Sequence, residues 1–539
     1  MNSRWWSPGV AVLFLICGCS TPPDDNRVTP APLAAKLSTI DAVQLADQSV
    51  APPLTIEEAT AQMALDANEP NTPQATMELT LEKVRAAVLA NNLDLKVELV
   101  NPSIARRALD AERAKFESAF YGAASFSSTD DLETPTTAQS FGAEVGIDKP
   151  LPTGGVVSVG LPFSTSDATD DGVADAAVSV SYIQSLWRGA GTRINTQSIR
   201  IAGHRYNITS AQTKLTAIYL LANADVTYWR LYAARKELDV RREQYKLAQD
   251  QLTHAHKKVA AGSAPKIEIV RAEAGLASRL ESVINAETAV QDWARELRRL
   301  MSDDSMPLES STDMIPVTEP NPLGLDLDEH QLIEQALANR MDMVQLEQTL
   351  TLDDLDIELA RDALRPNVTL NYTYSARGRN DTVAEAFSRL TSDAADAHSI
   401  GLSATIPLGN RAAKARLQSA RLARVQDLAA RERLEQVVRQ DVYEAASDLD
   451  RNWRRILAAE QGVTAALRDY EVEQSQFQLG RRTSTDVLYA ATRLADAQLS
   501  RIRAFADYEI AQINLARATG TLLGYNQVTL DPIDLDDGR

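Results

Sequence analysis

The sequence predicts a mostly helical protein that carries a smaller β portion, built by duplication of one helix-strand-strand-helix repeat. Three observations lead to this prediction. A very long helical pattern near the C-terminus folds back as a hairpin, a similar hairpin occurs earlier in the chain, and the apolar period changes from 3.6 to 2 between the helices of each repeat. The spacing of the two copies gives a repeat of about 200 residues within a chain of 539.

The N-terminus resembles the signal of a bacterial lipoprotein. Residues 10–16 form an apolar stretch too short to span a bilayer, and a Cys-Gly-Cys sequence follows it. In such lipoproteins a signal peptidase cleaves before the cysteine that is then acylated, so the resemblance makes residues 1–18 the signal peptide and Cys19 the lipidated residue. An ordinary signal peptide is the alternative. Residues 19–76 are rich in proline and are predicted to form a tether.

Helical patterns fill most of the remaining chain. The first runs from about 80 to 118, where Pro102 is expected to start a new helix or to kink the old one, because proline removes a backbone donor. The second runs from about 192 to 259, and a shorter helical pattern follows the break at Gly262 and continues to Leu300. The last covers about 414 to 523. A helix of roughly 60 residues is about 90 Å long, so it must pack lengthwise against other helices.

Strand-like alternation separates the helices of each repeat. The alternating runs cover residues 141–147, 157–163 and 178–182 in the first repeat, and 368–374 and 400–406 in the second. Gly154-Gly155 marks a turn in the first repeat, and residues 378–397 are predicted to be a polar loop in the second. Each run has about the length of a transmembrane barrel strand. A soluble sheet domain is the alternative that alternation leaves open.

The two hairpins share the same kind of break between their helices. In the second hairpin Gly480 can end the earlier helix, and Thr483 or Ser484 can cap the helix that follows, with Asp486 in its first turn. The corresponding break at Gly262 lies 218 positions earlier. The duplication therefore predicts two equivalent hairpin turns.

Composition and motifs exclude several functions. The formal charge is −19, and the clustered cations that nucleic-acid binding requires are missing from the sequence. Acidic residues are spread along the helices, which suits a solvated face or a cation-favouring lumen. His254 and His256 project from different helix faces, so a shared metal is not expected. The sequence has no phosphate-binding glycine loop and no nucleophile elbow. We therefore predict no enzyme, no cofactor and no metal.

Taken together, the repeat, the strands and the hairpins resemble the TolC-like outer-membrane efflux proteins. The resemblance covers about residues 79–523, and its marks are Leu364-Arg365-Pro366-Asn367 entering a strand, Ile406-Pro407-Leu408-Gly409-Asn410 leaving one, and the tip pattern Gly480, Asp486, Val487, Leu488 and Ala490. It implies a homotrimer in which each chain gives four strands to a twelve-stranded β-barrel and its helices to a long periplasmic α-helical barrel.

One departure from the family pattern lies in the first repeat. About 27 additional residues, which include the Gly154-Gly155 turn, stand between its helices and are expected to form an extended strand pair or an extracellular loop. The resemblance otherwise divides the chain simply. The segments are a first repeat at 77–304, a linker at 305–326, a second repeat at 327–525 and an acidic C-terminal tail at 526–539.

The resemblance also assigns roles to the hairpin tips. The periplasmic gate and selectivity residues it implies are Asp486, Arg482 and Glu268, and the adaptor-docking residues are Gly262, Ser263, Gly480 and Arg481. Arg482 matches an arginine that holds the closed state. A threefold ring of Asp486 would attract cations and raise its own pKa through like-charge repulsion. Tyr489 stands where the family has a second aspartate, which weakens the expected cation preference.

The function implied is a passive outer-membrane exit duct of a tripartite efflux system. Its partners would be two further copies of the chain, a periplasmic adaptor protein, an inner-membrane pump and the lipid of the outer membrane. Ser20 follows Cys19 and does not mark retention in the inner membrane. Two alternatives stay open: a type I protein secretion duct of the same fold, and a periplasmic coiled-coil scaffold lipoprotein without a pore.

Overall fold

The computed structural model describes residues 76–130, 137–166, 173–310, 312–479 and 481–525. The predicted signal peptide, Cys19, the tether before residue 76 and the acidic tail lie outside the described residues. Within the described ranges, no helix combines the length and the apolar character needed to cross a membrane. The mostly helical, duplicated fold that the sequence predicted is confirmed, because helices predominate and each repeat places its strands between helices.

The helices of the first repeat end in a long antiparallel hairpin. They are α1 (Leu81–Asn91), α2 (Leu93–Ala114), the short α3 (Thr192–Asn195), α4 (Gln197–Ala260) and α5 (Ile267–Met301). Helix α4 has 64 residues, as the long apolar pattern predicted. It packs against α5 along the hairpin and also contacts α1 and α2.

The second repeat has the same order of four principal helices as the first. Its helices are α6 (Glu329–Asn339), α7 (Met341–Asp362), α8 (Val383–Ser392), α9 (Arg411–Gln478), α10 (Ser484–Ala518) and the short α11 (Leu522–Tyr525). Helices α8 and α11 are additions, and α3 has no counterpart. Helix α9 has 68 residues and forms the second hairpin with α10. Helix α10 also packs against α4, so the two hairpins lie side by side.

The break in the first helical unit lies at Asn92 and not at Pro102. Asn92 accepts the Leu95 N–H through its side chain at 2.8 Å, which caps α2. Pro102 lies inside α2, where it cannot donate to the carbonyl of Glu98. The hydroxyl of Thr213 on α4 lies 3.3 Å from that carbonyl and can donate to it instead. Packing against α4 therefore places a hydroxyl beside the carbonyl that proline leaves without an intrahelical donor, although the Thr209 carbonyl competes for the same proton at 3.1 Å.

The strands between the helices form one antiparallel sheet of six. They are β2 (Ala119–Asp130), β3 (Thr137–Leu151), β4 (Gly155–Ser166), β5 (Val173–Ser185), β7 (Asn367–Asn380) and β8 (Ala395–Thr405), and they lie in that order. This count does not agree with the four strands per chain that the family resemblance implied. The additional residues of the first repeat form a strand pair, β3 and β4, which turns at Gly154. Strand β2 was not predicted, because small residues dilute its alternation.

Residues 378–397 are not the polar loop that the sequence predicted. Strand β7 extends to Asn380, helix α8 follows, and β8 begins at Ala395. The hydroxyl of Thr382 caps the helix by accepting the Glu385 N–H. Its apolar residues pack on β4 and β5, where Ala386 is fully buried and Phe387 lies 6.3 Å from the ring of Phe163. Tertiary packing stabilises a segment that looks polar in sequence.

A short parallel pair and two apolar clusters hold the helical body together. Strand β1 (Thr76–Leu79) pairs with β6 (Asp313–Pro316). The Tyr228 hydroxyl donates to the Leu79 carbonyl at 3.0 Å and accepts the Thr318 N–H at 2.9 Å, which ties this pair to α4. The cluster of the first repeat includes Leu221, Leu231 and Leu300, and that of the second includes Val438, Val442 and Tyr508.

Replacing Arg85 with methionine should destabilise the helical body. The Arg85 guanidinium donates to both carboxylate oxygens of Asp225 at 2.8 to 3.1 Å, and the Asp225 side chain is fully buried. Removing one partner of a buried ion pair costs about 3–5 kcal/mol because the other charge stays buried. Arg113→Met breaks an exposed pair with Asp110 and should cost less than about 1 kcal/mol. Chemical denaturation followed by helical circular dichroism tests this, and equal losses in both variants would contradict it.

Candidate functional site at the hairpin tips

The tip of the first hairpin is a glycine-ended helix terminus. Helix α4 ends at Ala260, and Gly262 has φ +69°, a left-handed conformation that favours glycine. The Gly262 N–H donates to the Val259 carbonyl, and the Ser263 N–H donates to the Lys258 carbonyl at 2.9 Å. The Ser263 hydroxyl donates to the same carbonyl. Gly262 and Ser263, two of the predicted docking residues, thus close the end of α4.

The tip of the second hairpin repeats this hydrogen bond. The Arg481 N–H donates to the carbonyl of Gln476, five residues earlier, at 2.9 Å, as Ser263 does in the first hairpin. Arg481 therefore occupies the structural position of Ser263. Gly480 lies outside the described residues. The equivalence of the two breaks that the sequence alignment predicted is confirmed at this bond.

Thr483 caps helix α10, and Asp486 completes the cap. The Thr483 N–H and hydroxyl both donate to Oδ2 of Asp486, at 2.9 and 2.8 Å, and the Asp486 N–H donates back to the Thr483 hydroxyl. This reciprocal arrangement is a capping box. The hydrogen bonds from Thr483, and more weakly the charge of Arg482, hold the pKa of Asp486 below its ordinary value. In the single chain, Asp486 is thus a stabilised carboxylate.

The other two predicted gate residues each pair within their own hairpin. Arg482 Nε lies 3.3 Å from a carboxylate oxygen of Glu473 in the last turns of α9. Glu268, which the repeat aligns with Asp486, pairs with Arg271 on the same helix at 3.1 Å. Helix α5 has no side-chain cap at Lys266, so the two tips differ. The duplicated turns therefore share the hydrogen bond that closes the first helix, but they differ at the start of the second helix and in charge.

Contacts between the hairpins bring the two tips together. The Lys258 ammonium lies 4.8 Å from the centre of the Phe477 ring, and Arg279 donates to the Thr492 hydroxyl at 2.9 Å. Both contacts join the first hairpin to the second. The tip surface also exposes large apolar side chains, namely Ile267, Val270, Leu479 and Tyr489. Exposed apolar groups at adjoining tips mark a surface suited to protein contacts.

Sequence patterns do not predict a pair of carboxylates that lies on α7 and α9, away from the hairpin tips. Asp353 on α7 faces Asp427 on α9, with Asp354 and Asp356 close by. Burial and the carboxylate of Asp427 raise the pKa of Asp353 to about 6. No sequence motif indicates this pair, because its two residues are 74 positions apart and come together only through packing of α7 against α9.

Replacing Asp353 with asparagine should remove part of the pH dependence of stability. Because the folded pKa of about 6 exceeds the ordinary value of 3.8, the native state keeps a proton that the unfolded state releases. The contribution to stability is therefore present at low pH and is lost as the pH rises from about 4 through 6. Melting temperatures of wild type and Asp353→Asn at pH 5 and 7.5 test this. Asp450→Asn, an exposed control paired with Arg454, should behave like wild type. The same pH dependence in all three proteins would contradict the assignment.

Two repeats that each end in a long helical hairpin define the fold of the chain. Residues 332–521 match the family model described as outer membrane efflux protein. This match covers the second repeat and confirms the predicted resemblance to the TolC-like outer-membrane efflux proteins. The family is one of membrane efflux proteins and not of enzymes, in agreement with the sequence prediction.

Proteins of known name resemble this chain in sequence or in fold. The pyoverdine export outer membrane protein OpmQ of Pseudomonas aeruginosa is 24% identical over 371 residues, which cover 66% of this chain and 73% of OpmQ. The outer membrane channel CmeC of Campylobacter jejuni has a TM-score of 0.63 at 17% identity, covering 82% of this chain and 86% of CmeC. The outer membrane protein VceC of Vibrio cholerae has a TM-score of 0.61 at 16% identity, covering 82% of this chain and 96% of VceC.

Proposed function

We propose that three copies of this chain form a passive duct through the bacterial outer membrane, the exit of a tripartite efflux system. The observation that carries the proposal is the arrangement of each repeat: long antiparallel hairpins end in adjoining tips, and the strands between the helices form one sheet with an exposed apolar face. The sheet would cross the membrane and the helices would form the periplasmic tunnel. The energy for export would come from the inner-membrane pump.

The hairpin tips would bind the periplasmic adaptor protein. Their exposed apolar side chains, which include Ile267 and Leu479 at 51% and 64% exposure, offer a surface that another protein can cover. Gly262, Ser263 and Arg481 shape the turns that present this surface, and Gly480 would do so at the second turn. The pump would then be connected to the duct through the adaptor.

Gating would occur at the same tips. Asp486, held as a carboxylate by Thr483, would line the narrow end of the duct in three copies and favour cations. Glu268 would add a second ring of charge from the first repeat. Opening would require the tip hairpins to separate, and Arg482 would oppose that separation.

The proposed duct also implies a class of cargo and a membrane anchor. A small-molecule cargo is favoured over a protein cargo, because the relative OpmQ is named for pyoverdine export. Acylation of Cys19 would hold the N-terminus in outer-membrane lipid. The helical body would extend into the periplasm.

Planar-bilayer recording of the purified mature protein tests the duct and its acidic tip. Wild type should give discrete, cation-selective current steps, and Asp486→Asn should reduce the cation preference because it removes the charge at the narrow end. Asp469→Asn removes an exposed carboxylate that pairs with Arg493 further from the turn, and it should leave selectivity unchanged. Equal selectivity in all three proteins would contradict the role of Asp486. Protein that does not insert at all would contradict the duct and favour the scaffold lipoprotein.

A second comparison tests how Arg482 restrains the tip. If its pair with Glu473 holds the hairpin closed, Arg482→Ser and Glu473→Gln should raise single-channel conductance alike, since each breaks the same contact. If Arg482 instead holds a neighbouring copy, only Arg482→Ser should do so. Unchanged conductance in both variants would remove Arg482 from the gate.

A further inference from the structure

We propose that the added hairpin β3–β4 lies in the bilayer as two full strands, so that each chain supplies six strands and three copies close an eighteen-stranded barrel. The strand count is three times the six of one chain. The inference rests on the proposed function, in which three copies form a membrane duct. It concerns how wide the membrane portion of that duct is and which residues face lipid.

The apolar face of the sheet is continuous through the added hairpin. Ile147 of β3 lies opposite Val159 of β4, Val159 lies opposite Val180 of β5, and Val180 lies opposite Tyr374 of β7. The row extends to Phe120 on β2, which lies opposite Ile147. Ile147 and Val159 are 50% and 44% exposed in the single chain. An apolar row this wide, exposed on one side of the sheet, fits hydrocarbon better than water.

The opposite face is polar, and the added hairpin contributes to it in the same way. The Tyr121 hydroxyl of β2 donates to Glu144 of β3 at 2.8 Å. Glycine at 146 and at 160 makes room for this contact, since a Cβ there would come within 2.6 Å of the Tyr121 ring and of the Glu144 carboxylate respectively. A cavity of about 540 Å³ opens on this face, lined also by Asp175 and Thr373. A recessed polar face suits the water-filled interior of a barrel.

The inner turn of the hairpin is fixed to the body of the protein. Gly154 has φ +87°, and a Cβ at this position would lie 2.2 Å from the Gly189 carbonyl oxygen. The Gly154 carbonyl accepts the Ser185 N–H, and the Thr153 carbonyl accepts the Gly191 N–H at 2.9 Å. These bonds hold the turn against the junction of β5 and α3. The hairpin is therefore an integral part of the sheet at the end nearest the helices.

The two edges of the sheet identify the partner as another copy of the chain. In the described part of the protein, β2 and β8 each have a strand neighbour on one side only. All neighbouring strands of the six are antiparallel, so β2 and β8 run in opposite directions and can pair between copies. Ile400 on β8 is 78% exposed beside its edge. Open edges are not tolerated in lipid, so closure by copies is required.

The consequence is a wider duct in the membrane than a twelve-stranded barrel provides. Barrel diameter grows roughly linearly with strand number, and barrels of about 16 to 18 strands leave an aqueous channel. The outer-membrane portion would then not be the narrowest part of the path. Restriction would fall to the helical tips.

Quenching of single fluorophores by brominated lipid tests the hairpin directly. Cysteine variants at Val159 and Ser158 on β4, and at Tyr372 and Thr373 on β7, would be labelled with an environment-sensitive fluorophore in reconstituted protein. The parent chain, treated identically, gives the background from its own cysteines. We expect several-fold stronger quenching at 159 than at 158, matching the alternation between 372 and 373. Native mass spectrometry of the same preparation should give three chains.

The possible outcomes separate this inference from the proposed function. Alternation in β7 together with no quenching at either β4 position would overturn the inference and leave the duct standing. Absence of alternation in both strands would overturn both. Alternation in both strands with two chains by mass would give twelve strands from two copies and would overturn the eighteen-stranded barrel.

Discussion

The length of the two principal helices constrains the rest of the structure. Helices of 64 and 68 residues extend roughly 100 Å at 1.5 Å per residue, and no compact core can support that length. Each must be stabilised along its side by other helices. Helix α4 meets α5 and α2 of its own repeat as well as α7 and α10 of the other, and alanine recurs among the buried residues. Duplication thus supplies α4 with several shorter partner helices from both repeats.

Burial along these helices falls towards the tips. The buried residues of α9 run from Leu417 to Ile456, and residues 457–478 include none that is buried. A segment held by few buried contacts opens at a low free-energy cost. The capping box at Thr483 and the pair between Arg482 and Glu473 therefore act where apolar packing is weakest. The proposed gate would thus lie where local polar contacts, and not a core, decide the conformation.

Periodicity made the helices and the duplication predictable, while packing decided what the sequence did not show. The hairpins, the glycine break at 262 and the cap near 484 follow from apolar spacing and local capping rules, and the structure agrees with them. Pro102 is expected to break the first helical unit, but the break lies at Asn92. The sequence does not show that Pro102 packs beside α4, where Thr213 offers a hydroxyl near the carbonyl that proline leaves without a donor. Helix α8 is not predicted, because the apolar residues that stabilise it are buried only by packing against β4 and β5. Strand β2 is not predicted, because glycine and alanine dilute its alternation. The pair of Asp353 and Asp427 depends on contact between distant helices. The face of the tip that would contact another copy of the chain also depends on assembly, so local sequence patterns do not predict it.

The measurement that tests this account most directly is an electron cryomicroscopy structure of the purified mature protein in lipid nanodiscs. The account predicts a ring of chains whose strands form one closed barrel within the lipid disc, with the apolar row at Val159 and Val180 facing outward. Below the disc, the α4–α5 and α9–α10 hairpins should form a continuous tunnel that narrows at Gly262 and Thr483. Particles whose sheet lies outside the disc, or whose helices enclose no tunnel, would contradict the assignment of this chain as an outer-membrane duct.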